Sequence, residues 1–268
     1  MRLLVTGAAG NMGRLLRPRL ARPGRTLRLV DVTPQQPAGP DEEVVTASVT
    51  DPAAMAEVCS DVDALLHLGG ISLEAPWQEI VAVNIDGTHT LLEAAREAGI
   101  RKVILASSNH AVGYYTRDDA PPGGLAAGVP ARPDTYYGVS KAAMEALGRL
   151  YADRFGLSVV CVRIGTCFAE PGSVRGLSTW MSPDDGERLV EAALALSEPG
   201  FRMVWGISRN TRRWWSLAEG EAIGYHPVDD AERYADKYLD GSEPDSTDPV
   251  LWYLGGQFLD VQLGTRMG

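Results

Sequence analysis

The chain has no apolar run of bilayer-crossing length, only three cysteines and no excess of positive charge, and each shortage removes a class of function. A helical membrane span needs about 20 apolar residues in succession, so no membrane partner is expected. Cys59, Cys161 and Cys167 are odd in number and lack metal-ligand spacing, which makes them reduced thiols and leaves no metal site to expect. A formal net charge of −10 over 268 residues argues against a phosphate-backbone partner, which would call for a basic patch, so no nucleic acid is expected either. Met1-Arg2-Leu3-Leu4-Val5 runs into glycine-rich sequence without the apolar stretch of a signal peptide, so the expected location is cytoplasmic.

What is present is ordinary for a globular protein, with 45% hydrophobic and 22% charged residues, and long enough for one large domain or for a domain carrying a smaller lobe. Leu3-Leu4-Val5-Thr6 is a short apolar run, followed at once by Gly7-Ala8-Ala9-Gly10-Asn11-Met12-Gly13 and a helical pattern through Leu15, Leu16 and Leu20. Strand, glycine turn and helix in that order let backbone approach a pyrophosphate, which the helix N-terminus meets with unpaired N–H groups. Gly7, Gly10, Asn11, Met12 and Gly13 are therefore candidate cofactor residues. A second strand, Leu27-Arg28-Leu29-Val30, ends at Asp31, where a carboxylate accepts from ribose hydroxyls and repels a 2′-phosphate. NAD is expected over NADP.

Val44-Val45-Thr46-Ala47 reads as a third strand, with Asp51-Pro52 as cap and first turn of the next helix. Residues 63–68 form a buried strand ending in Gly69-Gly70, a place where backbone passes close to a cofactor ribose. A helical stretch from about 77 to 98 follows, with Asn84 in its middle and Gly99 as its stop. A fifth strand then delivers Ser107-Ser108-Asn109-His110 to the carboxyl end, where ligands sit in a doubly wound sheet, although a plain loop role for His110 stays open.

Tyr137 and Lys141 lie four residues apart, on one face of a helix for which Asp134 is the expected cap. A phenol with a pKa of about 10 is a poor base at neutral pH until a positive charge favours the phenolate. Lys141 supplies one such charge and an oxidised nicotinamide a second. The pair then suits removal of a hydroxyl proton while hydride leaves the same carbon, although the same spacing is common on exposed helices.

Residues 116–133, rich in Pro, Gly and Ala, are expected to form a mobile loop over the site. A sixth strand, 158–164, leads to Gly165-Thr166-Cys167. The alternation predicts an α/β protein, a Rossmann-type doubly wound parallel sheet. Its expected plan is a single domain, with a dinucleotide-binding core over 1–165 and a smaller C-terminal substrate lobe and tail over 166–268. There Ser182-Pro183 starts a helix, residues 201–206 could form a last strand, and Trp180, Trp205, Trp214 and Trp215 read as packing, with sugar stacking as the lesser alternative. Residues 240–249 look like an acidic linker. The apolar tail beyond them needs a partner surface on its own body or on another subunit.

Taken together, Thr6-Gly7-x-x-Gly10-x-x-Gly13, Asp31, Leu68-Gly69-Gly70, Asn84, Ser107-Ser108 and Tyr137-x-x-x-Lys141 resemble the extended short-chain dehydrogenase/reductase superfamily over roughly the first 165 positions. Residues 67–72 and 106–110, Gly113-Tyr114-Tyr115, residues 163–167, Ser178-Thr179-Trp180 and Trp214-Trp215 more narrowly resemble the uronate dehydrogenases, to about residue 239. The resemblance implies NAD-dependent oxidation of the anomeric carbon of D-galacturonate or D-glucuronate to an aldarolactone, without a metal. It implies Tyr137 as base, assisted by Lys141, with Ser108 sharing the proton. It also implies Ser72, Ser108, Asn109, His110 and Thr166 on the sugar hydroxyls, Arg175 on the carboxylate and Cys167 beside the nicotinamide. Without the resemblance, Arg175 reads as a solvated loop arginine.

Three departures carry weight. Ser48 stands where these proteins usually have an Asp for the adenine amine, so either adenine is held less tightly or Ser48 and the Val49 backbone hold the ring instead. Asn109 occupies the position at which many superfamily members carry their serine, and loop 116–133 is longer than the family norm. The remaining readings are a nucleotide-sugar epimerase or dehydratase of the same superfamily and a non-catalytic NAD-sensing protein. A homo-oligomer is expected.

Overall fold

The computed structural model describes residues 1–239, 241–245 and 247–267. Apolar side chains that point alternately to two covered faces make its strands: β1 (Arg2–Thr6), β2 (Thr26–Asp31), β3 (Glu42–Thr46), β4 (Ala64–His67), β5 (Lys102–Ser108), β6 (Ser158–Ile164) and β7 (Gly200–Gly206). All pair in parallel in the order β3-β2-β1-β4-β5-β6-β7. Leu4, Leu65, Val103, Leu105, Val159 and Cys161 enter one core, while Leu3, Val5, Leu66, Ile104, Val160 and Val162 enter the other. A strand buried on both faces reads in sequence as an unbroken apolar run, which is the pattern of β4, β5 and β6.

The helices follow the strands. α1 (Asn11–Leu20) follows β1 and α2 (Pro52–Val58) follows β3. The stretch after β4 divides into α3 (Trp77–Ile80), a π-helical turn (Val81–Asp86) and α4 (Gly87–Glu97). α5 (Tyr136–Phe155) precedes β6, and α6 (Gly176–Thr179) and α7 (Pro183–Ala195) precede β7. Leu16 and Leu20 of α1 pack with Leu189, Val190 and Ala193 of α7 on one face, and α2, α4 and α5 cover the other. The chain after 165 thus adds β7 and α7 to the same sheet body before it builds a layer over the strand ends.

Local signals set the helix ends. Asp51 accepts from the N–H groups of Ala53 and Ala54 with Pro52 in the first turn, and Ser182 accepts from Asp185 N–H with Pro183 likewise placed. α5 corrects one expectation. Thr135 Oγ1, not Asp134, accepts from Gly138 N–H at 3.0 Å, because the Asp134 carboxylate is turned to His110.

Loop 116–133 is pinned, which corrects its expected mobility. Leu125 N–H donates to the Trp214 carbonyl at 2.9 Å, the Leu125 carbonyl accepts from Trp205 Nε1 at 2.8 Å, and Arg163 Nη1 donates to the Ala127 and Val129 carbonyls. Trp205 and Trp215 pack together beneath the loop with ring centroids 4.5 Å apart. Of the expected linker 240–249, residues 240 and 246 lie outside the described residues, while Asp248 caps the short helix Pro249–Trp252. The tail docks on its own body: Leu254 N–H donates to the Tyr115 carbonyl, Gly255 N–H to the Gly113 carbonyl and Met267 N–H to the Glu74 carbonyl. Among the described residues no helix is long and apolar enough to cross a membrane, and no group of three His, Cys, Asp or Glu side chains is arranged to hold a metal ion.

Candidate active site

The carboxyl ends of β1, β2 and β4 form a cradle of backbone. Gly7 has φ +71°, and a Cβ there would lie 2.6 Å from Gly69 N; a Cβ on Gly13 would lie 2.4 Å from the Ala8 carbonyl oxygen. Only glycine lets turn, helix and neighbouring strand approach this closely. Gly10 caps α1 without a side chain, so the first-turn N–H groups of Asn11, Met12 and Gly13 receive no capping oxygen from it. Such a helix start suits a phosphate. At the end of β2, Asp31 accepts from Ala9 N–H and Thr33 N–H, both at 2.9 Å, which fixes its carboxylate beside the glycine turn.

Ser48 hydrogen bonds to Thr50, and Val49 is buried against Gly87. The adjoining Ala47 N–H donates to the Asp31 carbonyl, so this segment borders the same cradle. Met12 and Leu68 line a small apolar cavity with Ile104, Ala106 and Ile164. Asn11 Nδ2 donates to the Cys167 carbonyl at 2.7 Å, tying the glycine turn to the loop after β6. Asn84, buried in the π-helical turn, receives Ile71 N–H at 2.7 Å and donates to the Ile71 carbonyl and to Ser140 Oγ, both at 2.9 Å. It thereby fixes the turn at Gly70 against α5.

The second half of the site is made of side chains. Tyr137, in the first turn of α5, is 7% exposed, and burial pushes its phenol up to about 12, with Ser108 as the hydrogen-bonding neighbour that favours the phenolate. Lys141 donates to the Ala106 carbonyl at 2.8 Å and its Nζ lies 5.6 Å from the Tyr137 ring centre. Burial lowers the Lys141 ammonium to about 8. A cation at this range favours the phenolate, but burial of the phenol outweighs it.

Asn109, 1% exposed, donates from Nδ2 to the Leu254 carbonyl at 2.8 Å, and its Oδ1 is buried without a hydrogen-bond partner among the described residues. Arg175 Nη2 donates to the same carbonyl at 2.6 Å. Burial lowers the Arg175 guanidinium to about 10 against the opposing pull of the Asp134 carboxylate, and Arg175 forms no ion pair among the described residues. His110 Nδ1 lies 2.7 Å from Asp134 Oδ2, and its ring stacks on Phe258 with centroids 3.8 Å apart. Thr166 faces Thr179, their hydroxyls 3.4 Å apart, and Ser72 is exposed on the turn after Gly70. Asn109 and Arg175 thus meet on the Leu254 carbonyl, His110 meets Asp134 and the edge of Tyr137, and Ser108 meets Tyr137, whereas Ser72 is exposed.

Residues 3–211 match the NAD dependent epimerase/dehydratase family. The uronate dehydrogenase of Agrobacterium fabrum is 44% identical over 260 residues, covering 97% of each chain. The crystal structure of uronate dehydrogenase from Agrobacterium tumefaciens, as a tyrosine-to-alanine variant complexed with NAD, superposes with a TM-score of 0.91 at 42% identity over 99% of each chain. Glucuronic acid dehydrogenase from Chromohalobacter salexigens gives a TM-score of 0.91 at 38% identity over 98% of each chain. The chain belongs to the uronate dehydrogenase family.

In this uronate dehydrogenase fold several supporting residues escaped sequence reasoning. Glu145 accepts from Ser107 Oγ at 2.6 Å and from Arg163 Nε and Nη2, both at 2.8 Å. One signal was available: Glu145 follows Lys141 by four residues on α5, and Arg163 is a charge inside an apolar strand, which demands a partner. Glu74, fully buried, accepts from Tyr137 N–H at 2.9 Å and from Gly264 N–H at 2.8 Å. His67 bridges Thr6 and Thr88, and burial lowers its imidazole to about 3, so it stays neutral beneath the cradle. Nothing local marked Glu74, Asp134, Leu254 or Phe258 as site residues, because their partners are remote in sequence.

Proposed function

We propose that the protein oxidises the anomeric carbon of a hexuronic acid, D-galacturonate or D-glucuronate, to the aldarolactone with NAD. The observation that carries this reading is Arg175: a partly buried guanidinium that feels the Asp134 carboxylate but forms no ion pair among the described residues, on the Leu254 carbonyl that it shares with Asn109. A guanidinium takes a carboxylate through two parallel hydrogen bonds, and a buried cation left unpaired is costly. A uronate carboxylate matches it, whereas a neutral hexose leaves it unmatched.

The cradle fits a dinucleotide: α1 has N–H groups without a side-chain cap that would meet the pyrophosphate, and Asp31, fixed by Ala9 N–H, would accept from the ribose hydroxyls. Bound NAD supplies a hydride acceptor and a positive ring charge. Tyr137, made a poor base by burial, would take the anomeric hydroxyl proton once Lys141 and the ring charge that bound NAD would add together favour its phenolate, with NAD as the acceptor for the C1 hydride. The hydroxyl oxygen becomes the lactone carbonyl, so one hydride, which carries both electrons, and one proton leave the sugar. Ser108 shares the proton, and Asn109, His110, Thr166 and Ser72 orient the remaining hydroxyls.

The test is absorbance at the reduced-nicotinamide band with galacturonate, glucuronate, galactose and glucose, each with NAD and NADP. Turnover confined to the uronates and favouring NAD is the expected result. Equal turnover on galactose overturns the Arg175 assignment, and binding of NAD without turnover on any sugar overturns the reaction.

A further inference from the structure

Asp134 is placed as though the fold were built around its carboxylate. It lies in the residue before the Thr135 cap and is 7% exposed. A Cβ on Gly113 or on Gly255 would come within 2.0 or 2.1 Å of its Oδ2, and one on Gly138 within 3.0 Å of its Oδ1. Glycines from three separate segments, the turn after β5, the tail and α5, leave room for this one group. Its two oxygens are divided: Oδ1 accepts from Thr135 Oγ1 at 3.0 Å and Oδ2 meets His110 Nδ1 at 2.7 Å, while Asp134 N–H donates back to the His110 carbonyl. The His110 ring is held from two further sides, by Phe258 at 3.8 Å and by the edge of Tyr137 at 5.8 Å. Its Nε2 has no hydrogen-bond partner among the described residues.

We propose that Asp134 is a positioning residue for the oxidation: it holds His110 as the Nδ1–H tautomer, so that Nε2 is a fixed acceptor for one hydroxyl of the sugar acid. An ionised carboxylate only accepts, so the proton of a neutral imidazole must sit on Nδ1, and the lone pair on Nε2 is presented to whatever shares the pocket with Tyr137. That atom selects a hydroxyl donor and rejects a substrate that is deoxygenated or O-methylated at the same carbon. This deepens the uronate reading and rests on it for the identity of the ligand, but the tautomer itself does not depend on that reading.

The test therefore has two arms. Two-bond proton–nitrogen correlation of histidine-labelled protein reads the tautomer directly; with four histidines in the chain, the His110 pattern is identified by its loss in His110→Gln. The unaltered protein is expected to show Nδ1–H for His110, and an Nε2–H or doubly protonated ring at the assay pH overturns the proposal whether or not uronate is turned over. In the kinetic arm, Asp134→Ala is expected to raise KM for the uronate about tenfold or more with NAD affinity unchanged. Asp134→Asn keeps nearly the same volume, but its amide can donate to Nδ1 and no longer forces the proton there, so it is expected to lose the exclusive Nδ1–H pattern and to raise KM as well. Asn that keeps both the parent's tautomer and its KM, or Ala with the parent KM, overturns the proposal. Should the alanine variant not fold, the tautomers of the unaltered protein and of Asp134→Asn still decide.

Discussion

The two halves of the site are built differently. The half proposed for the cofactor uses backbone: glycines that close a turn, a helix start without a side-chain cap and one carboxylate fixed by two N–H groups, all within the first 70 residues. The half proposed for the substrate uses side chains gathered from distant segments, most of them buried. Leu254, whose carbonyl takes both Asn109 and Arg175, is 145 residues from the first and 79 from the second. A common dinucleotide needs one geometry, which short local sequence can encode, whereas a particular sugar acid is read by groups that only the tertiary fold brings together.

Glu145 and Arg163 give the substrate half its largest test of stability. Removing either partner strands the other as a buried charge, so Glu145→Ala is expected to cost about 3–5 kcal/mol in denaturant unfolding, and an unchanged midpoint would make the pair ornamental. For Tyr137→Phe the expected loss in kcat is about 10³-fold, with NAD binding intact by fluorescence titration. If NAD binding falls in step, the two halves are not separable. Gly13→Ala inverts that experiment: a Cβ 2.4 Å from the Ala8 carbonyl oxygen must shift the turn, so NAD affinity drops roughly tenfold while the protein still folds.

The smallest expected effect concerns pH. Lys141 has a folded pKa of about 8, below its ordinary 10.5. Below about 8 the buried ammonium is charged and burial costs stability; between about 8 and 10.5 the unfolded chain holds a proton that the native state has released, and that cost disappears. The stability difference between Lys141→Met and the parent is therefore expected to change across this window and level off beyond it, as followed by thermal melts. A difference that stays constant with pH would place the ammonium in water.

The same contrast explains what could be read from the sequence. The sheet and its order of elements were legible because strands buried on both faces are unbroken apolar runs, punctuated by Gly7, Gly69-Gly70 and Gly99. Tyr137 and Lys141 were legible because four residues on a helix is a local spacing. Asp134 was misread as a cap because Asp and Thr both suit that role, and the choice of Thr135 depends on His110, 24 residues away. Loop 116–133 was misread as mobile because its anchors, Arg163, Trp205 and Trp214, all come later in the chain. The tail offered only its apolarity, which demands a surface but does not say which.

The most direct measurement is the ratio of kcat/KM for galacturonate to that for galactose, in the parent and in Arg175→Gln, since the two sugars differ in the carboxylate that the guanidinium is assigned to hold. The parent is expected to favour the acid strongly and the variant to lose about 100-fold of that preference, chiefly on the acid. A parent that oxidises both sugars equally, or a variant that keeps the parent's ratio, would contradict the account.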